Sequence, residues 1–174
     1  GAAVMVLEMT GSRVVAPYMG TSLVVWTSLI GIIMASLCIG YWFGGVIADK
    51  YPKPQYLAYI ILAAAISTAL MGFVANPILD FLAASLSSLY ASSVLAALLL
   101  FFIPSVLLGM VSPFIVRLAM KNLGSAGATV GRFSALSSAG SILGTFLGGF
   151  ILISFFSSGT ILMLIASTLA LPLG

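Results

Sequence analysis

The sequence predicts an all-α protein: a polytopic membrane bundle of six transmembrane helices built as two inverted three-helix repeats. Hydrophobic residues fill 62% of its 174 positions and charged residues only 5%, a balance that would make a water-soluble domain aggregate. A hydrocarbon core of about 30 Å needs about 20 apolar residues per helix, so the chain has room for roughly six spans. The apolar runs are long and continuous rather than alternating, which favours helices over strands.

The repeat is visible when the sequence is compared with itself at a shift of 104 positions. The segment IGYWFGG then falls on LGTFLGG. The matched pairs are Arg13 with Arg117, Gly20 with Gly124, Thr21 with Ser125, Gly40 with Gly144, Gly44 with Gly148 and Gly45 with Gly149. Small residues also match by chance in membrane helices, but a genuine three-helix repeat is necessarily inverted, because three crossings change sides of the membrane.

Prolines, glycines and polar segments set the helix boundaries. The predicted helices cover about 1–16, 23–48, 55–75, 89–116, 133–154 and 159–171. The first repeat is then about 1–75 and the second about 89–174. Between them, Asn76 and Pro77 can cap and start a short interfacial helix, within a segment of about 76–88. The chain starts within a helix and without Met, so we expect it to be part of a longer protein.

The basic residues predict the orientation. Five of the six bases fall between the second and third helices or in a loop expected at Arg117–Arg132; they are Lys50, Lys53, Arg117, Lys121 and Arg132. Only Arg13 falls near the opposite side. The positive-inside rule therefore predicts a multi-pass protein of the plasma or inner membrane with both basic loops, and both ends, in the cytoplasm.

Several classes of function are excluded by composition. There is no histidine, and Cys38 is the single cysteine, so we expect no disulfide within the chain and no zinc, haem or other metal site. A net charge of +3 is too small to suggest a nucleic-acid partner. The expected partner is the lipid bilayer.

Glu8 is the most informative single residue. It lies near the middle of the first helix, where a carboxylate facing lipid is costly, so it should face the bundle interior. Arg13 is the obvious partner, but five residues turn an ideal helix by about 140°, and only a bend at Gly11 would bring the two together. Glu8 is either half of a buried ion pair that holds the first helix against the fourth, or a cation site or proton relay. Glu8, Arg13 and Arg117 are the candidates for binding a substrate or cation.

The segment GGVIADKYPK, from Gly44 to Lys53, resembles the cytoplasmic loop signature of the major facilitator superfamily. Asp49 can pair there with a base across the loop and latch one conformation, with Lys50 as the second latch candidate. Pro52 stands where facilitators usually have Gly. The alternative is an ordinary solvated helix end.

A wider set of motifs is more specific: EMTGSR, APYMG, GYWFGGVIADK and GRFSALSSAGSILGTFLGGF. Together they resemble the membrane domain joined to spermidine-synthase-like domains in many prokaryotic proteins. The resemblance implies a cytoplasmic polyamine aminopropyltransferase-like domain beyond residue 174, which would use decarboxylated S-adenosylmethionine. The present segment has no catalytic residues and no cofactor, because it lacks a glycine-rich strand-to-helix turn.

The expected function is therefore to anchor that enzyme domain and to bind or pass a small cation such as a polyamine. The alternatives are an independent small transporter or channel, similar to half of a facilitator, and a purely structural anchor. A transporter predicts a polar, accessible environment for Glu8, whereas an anchor predicts a closed ion pair.

Small residues recur every four positions in two predicted helices. They are Ser36, Gly40, Gly44 and Ala48 in the second helix, and Gly140, Gly144 and Gly148 in the fifth. Such stripes let helices approach closely, either within one chain or across a dimer. In facilitators the second and fifth helices face the other half of the molecule, so the resemblance implies a homodimer through these helices.

Overall fold

The computed structural model describes residues 1–120 and 126–171. Six helices run through these ranges, and they contain no strand. The helices are α1 (Ala2–Met19), α2 (Leu23–Lys50), α3 (Pro54–Ser85), α4 (Leu89–Ala119), α5 (Ala126–Phe155) and α6 (Ser158–Ala170). Within α5, a π-helical stretch at Leu147–Leu152 separates two α-helical parts, Ala126–Phe146 and Ile153–Phe155. The all-helical prediction is confirmed.

Four helices, α2 to α5, are long and apolar enough to cross a membrane. They have 28, 32, 31 and 30 residues, each longer than the hydrocarbon core at about 1.5 Å per residue. α1 and α6 have 18 and 13 residues. Large apolar side chains cover the outer surface; examples are Trp42, Phe73, Tyr90, Phe150 and Phe155. Such a surface suits contact with lipid.

α4 lies at the centre of the bundle. It contacts α1, α2, α3 and α5, and its most extensive contact is with α2. Phe101 and Phe114 of α4 are fully buried. Phe101 also packs against Gly11 of α1, where an added Cβ would lie 2.6 Å from the Phe101 ring. The glycine thus lets α1 approach α4 closely, rather than bending α1 as the sequence suggested.

Prolines end fewer helices than predicted. α1 continues through Pro17 to Met19 before Gly20, whose φ of +76° forms the turn. Ser22 then caps α2 by accepting a hydrogen bond from the Val25 backbone N–H. The start of α2 at Leu23 agrees with the prediction, whereas its end at Lys50 lies two residues beyond the predicted Ala48.

The prediction of a separate interfacial helix at about 76–88 is wrong. α3 passes through Pro77 and ends at Ser85. Its buried stripe continues across the proline, through Met71, Ala75, Leu79 and Leu82. Packing of this stripe against neighbouring helices explains the continuity, since tertiary contacts outweigh the one backbone hydrogen bond that proline removes.

The second basic loop is also shorter than predicted. Arg117 lies in the last turn of α4 and Arg132 lies within α5. Of the sequence predictions, Lys121, the repeat positions Gly124 and Ser125, and the end of the second repeat at 172–174 lie outside the described residues.

Candidate functional site

An ion pair joins the ends of α2 and α4. The Nε atom of Arg117 donates a hydrogen bond of 2.7 Å to Oδ1 of Asp49. Both side chains remain substantially exposed, at 43% for Arg117 and 73% for Asp49. Asp49 thus pairs with a base of another helix, which is one of the two roles that its place at the end of α2 suggested. Arg117, a candidate for binding substrate, is the base in this pair.

Lys50, the second latch candidate, makes a different contact. Its ammonium lies 5.4 Å from the centroid of the Tyr51 ring. Tyr51 in turn stacks on Tyr56 with their centroids 5.1 Å apart. Lys50 therefore belongs to an aromatic cluster at the start of α3 rather than to the ion pair.

Arg13 lies at the opposite end of the bundle. Its Nη1 atom donates hydrogen bonds to the backbone carbonyls of Ile153 and Phe156, the latter at 2.9 Å. These carbonyls lie at the end of α5, where the helix leaves them without intrahelical donors. A guanidinium at a helix C-terminus also interacts favourably with the helix dipole. Arg13 therefore holds α1 against the last turn of α5.

Glu8 does not pair with Arg13. Within residues 1–120 and 126–171, Glu8 makes no hydrogen bond and no ion pair, and its side chain is partly buried. The two residues point in different directions because α1 stays helical between them, as the 140° separation requires. Two polar groups of α1 satisfy themselves locally, since Thr10 donates to the Val6 carbonyl and Ser12 to the Met9 carbonyl.

The glycine stripes pack within the chain. A Cβ added to Gly44 would lie 2.6 Å from the Met110 Cα atom, and one added to Gly40 would meet the Val106 carbonyl. On α5, a Cβ added to Gly144 would lie 2.6 Å from the Ala2 carbonyl oxygen. These contacts favour packing within one chain, the first of the two alternatives, and the predicted homodimer through α2 and α5 loses the observation on which it rested.

The remaining positions of the two small-residue stripes also pack within the chain. Gly140 and Gly148 of α5 also lie against α1, with Cβ positions 3.5 Å from Ala2 and Val6 atoms. Ser36 and Ala48 of α2 are fully buried. Small residues in these two helices thus set the distance of α2 from α4 and of α5 from α1.

A polar cavity of about 650 Å³ lies between α2, α4 and α5. The Asp49–Arg117 pair lies in its wall, together with Tyr41 of α2. Serine side chains line the wall as well: Ser112 from α4, and Ser134, Ser137, Ser138 and Ser141 from α5. Sequence reasoning missed these serines. Their spacing of three and four residues places the α5 serines on one helix face, which is the signal that marks them.

The contacts made by the two matched arginines and by the two glycine stripes share one offset. Gly40 meets Val106 and Gly144 meets Ala2, while Gly44 meets Met110 and Gly148 meets Val6. Arg117 binds Asp49, and Arg13 binds the carbonyl of Ile153. In every case the two contacts are related by moving one residue 104 positions forward and the other 104 back.

No protein-family model, curated protein or solved structure matches this chain.

Proposed function

We propose that the chain is a membrane domain of two inverted three-helix repeats, similar to half of a facilitator, that binds a small organic cation at Glu8. A two-fold axis that exchanges the repeats requires each contact between them to recur with the partners exchanged. The shared offset of the glycine and arginine contacts has this property. The pairing of α2 with α4, of α1 with α5 and of α3 with α6 is also unchanged by such an exchange.

The observation that carries the cation site is the isolation of Glu8. A partly buried carboxylate without a hydrogen bond or counter-ion, in an apolar bundle, is costly. A bound ammonium group would offset that cost, whereas a structural anchor needs no such residue. The other two candidates, Arg13 and Arg117, are bases, and both pair with other groups among the described residues. Of the three candidates, Glu8 is therefore the one that can bind a cation.

The cation class comes from the resemblance to membrane domains of spermidine-synthase-like proteins. A polyamine is the substrate or product of such an enzyme, and the membrane domain would anchor the enzyme and hold or pass the polyamine. A purely structural anchor is the alternative function, and the binding experiment described next distinguishes it from a cation-binding domain.

Binding of spermidine to the purified chain in nonionic detergent micelles tests the site. Glu8→Gln keeps the size of the side chain but removes its charge, so we expect affinity to fall by about tenfold or more, the effect of losing a charge-assisted hydrogen bond. Asp80→Asn is the matched control, because Asp80 is an exposed acid near the end of α3. Equal spermidine binding by the wild type and Glu8→Gln would leave Glu8 without a role in recognition.

The orientation belongs to the same proposal: the end that carries Lys50, Lys53 and Arg117 faces the cytoplasm, as do both ends of the chain. A cysteine at position 53, in a Cys38→Ala background, should react with an impermeant maleimide only after the cells are permeabilised. A cysteine at Thr21, between α1 and α2, should react in intact cells. Labelling of position 53 from outside would reverse the orientation.

A further inference from the structure

The cavity between α2, α4 and α5 is separate from Glu8, and its wall has its own chemistry. Arg117 uses only its Nε atom, in the bond to Asp49. In the part of the chain that the structure describes, no group accepts a hydrogen bond from its two terminal nitrogens. The edge of the guanidinium that suits bidentate recognition of an oxyanion therefore makes no hydrogen bond to the described residues.

Most serine hydroxyls of the wall are also uncommitted; the exception among the five is Ser141, which donates to the Ser137 carbonyl. A serine inside a helix commonly donates to the carbonyl four residues earlier, as Ser28, Ser36 and Ser92 do here. By contrast, four hydroxyls of the cavity wall have no hydrogen-bond partner within residues 1–120 and 126–171: those of Ser112, Ser134, Ser137 and Ser138.

The balance of donors and acceptors selects the ligand. The wall offers the two terminal nitrogens of Arg117, which can only donate, and four hydroxyls, which can donate or accept. The ion pair leaves one carboxylate oxygen of Asp49 as an acidic acceptor. Two further bases, Lys50 and Lys53, lie at this end of the bundle, close to Asp49 in the sequence. The unpaired edge of the guanidinium and the nearby hydroxyls together suit a ligand that is rich in acceptors, such as an oxyanion.

We propose that this cavity binds an oxyanion of the phosphate type, held by the terminal nitrogens of Arg117 and by the hydroxyls of Ser137 and Ser138. Asp49 has two opposing effects on this site. Its bond to Nε orients the guanidinium with its free edge available, while its negative charge weakens the binding of an anion. A soluble phosphate compound and the phosphate of a lipid headgroup offer the same chemistry.

The two members of the ion pair therefore give opposite predictions. Arg117→Gln removes the binding edge, so affinity for the anion should fall by about tenfold or more. Asp49→Asn removes the opposing charge, so affinity should rise severalfold. If the pair is only a latch between α2 and α4, both substitutions weaken the same contact and should act in the same direction.

Calorimetric titration of the purified chain in phosphate-free maltoside micelles measures these changes. Inorganic phosphate is the first probe and a short-chain phosphatidylglycerol the second. Binding of phosphate identifies a soluble ligand as the source, and binding of the lipid alone identifies a headgroup. Arg132→Gln is the control, because it removes the same charge from an exposed position of α5 outside the cavity wall.

A second variant keeps the test independent of the ion pair. Replacing both Ser137 and Ser138 with alanine removes two donors without changing charge or disturbing Asp49, and should reduce affinity for the probe that binds. Alanine at Ser154, outside the cavity wall, is its control. The proposal is overturned if neither probe binds the wild type, or if Asp49→Asn and Arg117→Gln lower binding alike.

Discussion

The contact of α2 with α4 and that of α1 with α5 use the same glycine spacing but differ in extent. On α2 the buried residues run from Val25 to Ala48, over most of the helix. On α5 they are Gly144 and Gly148, and the part before Gly144 has none. Glycines let the backbones approach, and apolar neighbours extend the contact where they are present.

The difference accounts for the cavity. The first half of α5 carries serines on the face that points toward α2 and α4. By contrast, α2 presents apolar residues to α4. Serine contributes little packing area, so that half of α5 packs less closely on α2 and α4 than the helices that carry apolar residues there. The two helix contacts, which are alike in their glycine spacing, thus differ at one end, and the cavity lies there.

The glycines provide the largest expected effect. Gly44→Ala would place a methyl group 2.6 Å from the Met110 Cα atom, so α2 and α4 must separate, and we expect a loss of about 1–3 kcal/mol in the free energy of unfolding. Gly148→Ala, at the position 104 residues further on, would meet the Val6 Cγ2 atom at an ordinary 3.5 Å. That change should lie within about 0.5 kcal/mol.

Unfolding in mixed micelles of nonionic detergent and dodecyl sulfate measures both variants. Gly45→Ala and Gly149→Ala are the matched controls, because a Cβ at either position would have no neighbour within 4 Å. Equal destabilisation by Gly44→Ala and Gly148→Ala would mean that the two interfaces are equally tight, contrary to the comparison above.

Much of the fold could be predicted from the sequence, because apolar runs, turn glycines and caps act locally. The loop at Gly20 and the start of α2 at Leu23 follow from such signals. The continuity of α3 through Pro77 could not be predicted, since it depends on packing of Leu79 and Leu82 against other helices. Local propensity favours a new helix at Asn-Pro, and tertiary contacts override it.

The candidate site was predicted less completely. Asp49 and Arg117 were both singled out, but with different roles, because one sequence does not reveal which charges meet across helices. Glu8 was expected to have a partner on the ground that buried charges are paired, and it has none among the described residues. The role of the glycines was open between two interpretations until their neighbours could be identified.

The smallest expected effect concerns the two arginine contacts. Ile153 lies 104 positions after Asp49, as Arg117 lies 104 positions after Arg13. Arg117 pairs with the carboxylate, whereas Arg13 bonds to the Ile153 carbonyl. If the two contacts differ only because position 153 lacks a carboxylate, Ile153→Asp should create a second ion pair, with Arg13.

A double-mutant cycle of Ile153→Asp with Arg13→Gln isolates this coupling, because the cost of placing an acid at position 153 is common to both backgrounds and cancels. The expected coupling is below about 1 kcal/mol, the usual range for exposed pairs, and it should match a cycle of Asp49→Asn with Arg117→Gln. Ile151→Asp, on an exposed position two residues earlier, should show no coupling to Arg13. A measurable coupling for Asp49 with none for position 153 would mean that the backbone around the π-helical stretch, and not the missing carboxylate, distinguishes the Arg13 contact from the Arg117 contact.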